Sequence, residues 1–234
     1  MAAPQSGRRD LRMPWSILGF TERLGDQVFE QIRGDRIDAI ETAPGRYNDA
    51  IATLTGPANT PLMRATYRIV VEQRQASVSI GTSTYLTCPS LAELPPDGPI
   101  TYGTSLDGSP SRFLQTFTTA QFECQPEPAE LAAATRWCSG PMWRHSRGLL
   151  DETDSIDALQ NDVDEIFARK KASSYLFSND AVHDFILYCL LADEDERAER
   201  ANREVLRTDP FVQFGFQGFL AANFPGRLPS VPSP

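Results

Sequence analysis

Histidine and lysine are scarce in this chain. Only His145 and His183 stand among 234 residues, which confines imidazole chemistry to two positions. Lysine is limited to Lys170 and Lys171, the other basic residues being arginine, a bias given no functional weight. No stretch approaches the roughly 20 apolar residues that a membrane span needs. The longest apolar run, residues 185–192, contains Tyr188 and Cys189 and is flanked by acidic residues. An apolar signal core is also missing: Arg8, Arg9 and Arg12 precede a short apolar patch that soon meets Glu22 and Arg23. These absences predict a cytoplasmic protein without a membrane span, in which the four cysteines are thiols. There is no Walker-type phosphate loop, dinucleotide fingerprint or serine-hydrolase elbow, and no cofactor is expected.

What is present is an ordinary globular composition, 41% apolar and 23% charged, able to supply a core. The net charge of −9 is unevenly placed. Residues 1–150 hold 14 Arg against 15 acids, a balance of −1, whereas residues 151–234 hold 8 bases against 16 acids, a balance of −8. So acidic a C-terminal part repels phosphate backbones, and direct nucleic-acid binding is not expected.

Periodicity predicts an α+β fold: an N-terminal helix, an antiparallel sheet in the middle and a helical C-terminal third. Residues 1–12 and the proline-rich 225–234 read as flexible ends, 13–148 as the helix-plus-sheet region, and 149–224 as an acidic helical region or subdomain. Ser16 caps a first helix in which Phe20, Leu24, Val28 and Ile32 recur every four residues. Residues 62–73 and 76–80 alternate as a hairpin, with further strands at 100–106 and 112–124 and a loop at 89–99. Helices are predicted from Pro128 to Trp137, from Asp154 or Ser155 to Arg169, from about 180 to 207 as one long element, and from Asp209-Pro210 to about 224. Residues 138–150 read as a loop.

That loop carries the chemistry. Cys138 and His145, with Trp137, Trp143, Arg144 and Arg147 between or beside them, have the composition of an assisted thiolate nucleophile, although the spacing matches no thiol-enzyme signature. Cys88, Cys124, Cys138 and His145 lack the paired spacing of structural zinc, so no metal is expected. The acids from Asp151 to Glu165 lack the central glycine of a calcium loop and read as the exposed face of a capped helix. His183 reads as a polar residue on a helix flank. Glu72, Arg74 and Asp49 lack the lysine of a nuclease-type site.

Two surfaces point to interaction instead. Phe211, Phe214, Phe216 and Phe219 exceed what one face of a short helix buries, and Asp193, Glu194, Asp195 and Glu196 form a charged block for solvent or a charged partner. The expectation is a non-enzymatic interaction or assembly protein that binds a protein partner or forms a homo-oligomer. The alternative is an enzyme or small-ligand-binding protein with a thiol–imidazole pocket around Cys138 and His145.

Overall fold

The computed structural model describes residues 16–94, 112–117, 120–153, 155–172, 180–208 and 214–229. The fold is α+β, with the helix, sheet, helices order that the periodicity predicts.

Helix α1 spans Ile17–Ile32, and the Ser16 hydroxyl caps it by accepting from the Gly19 amide at 3.0 Å. Its buried stripe of Phe20, Leu24, Val28 and Ile32 lies on the sheet. Gly25, which costs a helix about 1 kcal/mol relative to alanine, has a packing reason. A Cβ there would stand 2.9 Å from both the Ala52 Cβ and the Ile40 Cδ1, so glycine lets the helix lie close on the strands.

Among the described residues the sheet has six strands in antiparallel pairs: β1 (Ala39–Pro44), β2 (Asp49–Pro57), β3 (Arg64–Gln73), β4 (Val78–Thr87), β5 (Arg112–Phe117) and β6 (Phe122–Cys124). The first four follow in sequence order, and β5 and β6 pair with opposite ends of β4. The continuous strand expected over 112–124 is thus two strands. Strands β1 and β2 have no counterpart in the periodicity reading. The inward positions of β2 include small Ala50 and Ala52, while Ile51 points to the other face, so the apolar alternation is masked. The strand expected at 100–106 lies outside the described residues.

All the core helices described sit on one face of this sheet. Ala52, Leu54, Tyr67, Ile69, Val71, Val78 and Ile80 form a core with α1 and the helix α2 (Pro128–Trp137). Farther along the same face, Ala65 and Leu86 pack with α4 (Ile156–Ala172), α5 (Asp180–Leu191), α6 (Asp195–Thr208) and α7 (Phe214–Asn223). The acidic helices therefore share the sheet with α1.

Two further features depart from expectation. Residues 138–150 are not a loop: a wide π turn over Cys138–Met142 joins α2 to α3 (Trp143–Thr153). Pro141 supplies no N–H and clashes with a regular turn, and the wider turn accommodates it within a continuous helical path. The long helix expected from 180 to 207 is broken at residues 192–194, where Asp193 adopts φ 60°. Its charged second half becomes α6, whose Ala198, Ala201 and Val205 turn into the core.

Candidate functional site

The fold separates the thiol from the imidazole. Cys138 opens the π turn and is fully buried, whereas His145 is exposed on α3. Seven residues of helical rise, about 10 Å, lie between them. Proton transfer needs hydrogen-bond reach, which this arrangement does not provide. The other chemically rich side chains fasten α3 to the turn after α1. The Trp143 indole donates to Asp35 at 2.9 Å, Arg147 pairs with Asp35 at 2.6 Å, and Arg36 reaches Asp151 at 2.7 Å. Tyr67 donates its hydroxyl to the Cys138 carbonyl at 3.0 Å and meets the Trp143 ring edge-on.

All four cysteines are buried free thiols. Burial raises the Cys88 and Cys124 thiols to about 11 and the Cys189 thiol to about 12; it pushes Cys138 up as well. Cys88 belongs to the core under α5, and Cys124 and Cys138 to the core under α1, so the zinc set drawn from the sequence is not gathered. Because the folded thiols hold their protons more tightly than unfolded ones, their contribution to stability is complete below about pH 9 and falls away as pH rises through about 11. Native protein at about pH 8 should therefore alkylate with iodoacetamide far more slowly than the urea-unfolded chain. Mass spectrometry would read the adducts. A fast adduct on native Cys138 would restore it as a nucleophile.

The acidic block is the corner between α5 and α6. Arg227 holds it, bonding both carboxylate oxygens of Asp195 and reaching Asp193 at 3.0 Å. The same hydrogen bonds hold the Asp195 carboxyl below its ordinary range. Glu194 faces Arg197 at 3.5 Å, and Glu196 is exposed. Ser155 caps α4, whose acids Asp157 and Asp164 bridge to Arg197 and Arg200 of α6, each at 2.7 Å. Arg197 and Arg200 thus link two helices, and Arg203 pairs along its own with Glu199.

Two of the four phenylalanines are not part of a free stripe. Phe216 and Phe219 are buried in the C-terminal core, Phe216 stacked on His183 with ring centroids 3.9 Å apart. His183 is thus an inward-facing residue of α5, not one on a helix flank. Phe211 lies outside the described residues, and Phe214 opens α7. A shallow groove of about 260 Å³, which neither Cys138 nor His145 lines, lies between the β2–β3 turn and the end of α5, with Thr60, Tyr188 and Glu194 in its lining.

The surface with the most unspent chemistry is the face of the sheet that none of the described core helices packs on, called here the helix-free face. Strand alternation and register place three rows across it. Thr53, Arg68 and Ser83 stand directly opposite one another in one row; Ile51, Val70 and Gly81 form the next; Thr55, Thr66 and Tyr85 form the third. Ile51, Arg68 and Val70 are half-buried, whereas Ser83 and Tyr85 are buried, with the Ser83 hydroxyl donating to the Tyr85 oxygen at 3.0 Å. A Cβ at Gly81 would meet nothing within 4 Å, so the floor is open there. Arg68 Nε is buried without a hydrogen-bond partner.

No family model, curated protein or solved structure matches the chain. The function therefore rests on what its own surfaces offer. The helix-free face was not singled out in the sequence. Its signal was present in the strict alternation of 62–73, which puts Arg64, Thr66, Arg68, Val70 and Glu72 on one side of β3. No described helix is long and apolar enough to cross a membrane.

Proposed function

We propose that the chain is a non-enzymatic interaction or assembly protein that docks a protein partner, or a second copy of itself, on the helix-free face of its sheet. The observation that carries this reading is the strip at the centre of that face. Half-buried Ile51 and Val70 stand beside a half-buried arginine and an open glycine, while the packing helices occupy the opposite face. An aliphatic strip with one guanidinium is the composition of an interface centre, where apolar side chains and arginine are favoured. The thiol alternative loses support because Cys138 is buried and held protonated while His145 faces solvent. The strongly acidic C-terminal part favours a protein partner over a nucleic acid.

A photo-crosslinking residue at Val70, on the strip, tests this against one at Asn161, exposed on α4. In native extract, and with purified protein at high concentration, Val70 should give discrete adducts and Asn161 should not. Equal yields at both positions, or none at either, would sink the reading.

A further inference from the structure

Arg68 lies among hydroxyls and not among acids. Thr53 and Ser83 face it directly from the neighbouring strands, with Cβ atoms about 5 Å away. Its Nε is buried with no hydrogen-bond partner, and among the described residues no carboxylate forms an ion pair with it. The acids on the same face are committed or remote. Glu72 pairs with Arg74 at 2.9 Å, and Asp49 accepts from the Tyr47 amide at 2.9 Å. Glu41 stands in the row of Arg68 but two strands away, about 10 Å by strand spacing. A desolvated guanidinium N–H costs free energy that an anionic acceptor would return.

Space for such an acceptor lies in the neighbouring row. Gly81 leaves the next row open, and Ile51 and Val70 give that opening an apolar border. We propose that the opening receives the carboxylate of an Asp or Glu side chain on a protein segment laid across the sheet. Arg68 grips the carboxylate through its planar fork, and Ile51 and Val70 take the apolar residues beside it. Charge decides between a carboxylate and a phosphate. Glu41, Asp49, Glu72 and Glu123 share the face and the whole chain carries −9, so a monoanion meets about half the repulsion of a dianion. This inference rests on the docking reading above and names the chemistry of the partner.

The test uses full-length protein with isotopically labelled arginine, reading the Arg68 Nε–H resonance by NMR, assigned by its loss in Arg68→Lys. The probes are acetyl-Ile-Glu-Ile-amide, its Gln counterpart and inorganic phosphate, all at matched ionic strength. The Glu peptide should shift the resonance saturably and the Gln peptide should not. Backbone amides of β3 and β4 should report binding weakened roughly tenfold or more in Arg68→Lys. If that variant does not fold, the β3 and β4 backbone amides of the unaltered chain, assigned without it, still decide between the Glu and Gln peptides. Equal responses to both peptides, a stronger response to phosphate, or none at all would overturn the carboxylate site. Such a failure with Val70 crosslinks intact removes the site and leaves the docking face. A Glu-selective shift without crosslinks leaves an anion site and removes the docking partner.

Discussion

Gly56→Ala is expected to destabilise the protein by about 3 kcal/mol or more, although it adds a single methyl group. A Cβ at this position would fall 1.8 Å from the Arg36 carbonyl oxygen and 2.8 Å from the Ile37 Cα. Both atoms are backbone, so no rotamer change relieves the clash. The tight turn that crosses Gly56 is fixed by positive φ at Gly34 (80°) and Arg36 (70°) and by the Gly34 amide bonding to the Ile37 carbonyl at 3.0 Å. Making room means lifting that turn from β2. The Asp38–Thr55 backbone hydrogen bond would break, and Asp35 would be drawn away from Trp143 and Arg147. Gly81→Ala is the internal control: its Cβ enters open space, and its effect should stay within about 0.5 kcal/mol. Urea unfolding of the two variants beside the parent measures both. A Gly56→Ala midpoint equal to the parent's would mean that the turn does not lie over β2.

Phe185→Ala should cost about 3–5 kcal/mol, the range for emptying a fully buried aromatic site. More informative is how the loss is distributed. Phe185 sits in the core of the acidic C-terminal helices, but Met63, Ala65 and Leu86 from the sheet region belong to the same core. Trp137 and Trp143 report from the other core, under α1 and α2. The variant should therefore shift the tryptophan fluorescence transition and the far-ultraviolet circular dichroism transition together, as one cooperative unit does. If fluorescence kept the parent midpoint while the helical signal melted early, the C-terminal helices would be a separate subdomain.

Much of the architecture was legible because strong periodicity survives burial on one side. The α1 stripe and the β3 alternation are cases in which one face packs and the other is solvated, so pattern and structure coincide. Strand β2 was hidden because the close approach of α1 at Gly25 calls for a small residue at Ala52, Ala50 beside it on the inward face is small as well, and alanine is silent in a hydrophobic pattern. The break at residues 192–194 was hidden because Asp193 takes a left-handed conformation without a glycine to announce it. The candidate surface was the least legible part. Its residues come from three strands, and only strand register puts Thr53 and Ser83 on either side of Arg68. Cys138 and His145 failed as a site for the converse reason. They are close in sequence, but a helical path carries one inward and the other outward.

The π turn at Pro141 can also be read as a change of phase. Along α2 the buried positions are Leu131, Ala134, Thr135 and Cys138; they resume at Trp143, Ser146 and Leu150 after a stride of five. One extra residue in a helical turn delays everything downstream by about 100°. That delay is what points Trp143 at Tyr67 and Asp35 and sets Arg147 within reach of the same carboxylate. Removing one residue from 139–142 would leave the helix nearly as long but rotate α3 about its own axis, swinging its indole toward solvent. The wide turn thus works as a one-residue timing element, and the clasp between α3 and the end of α1 depends on its beat.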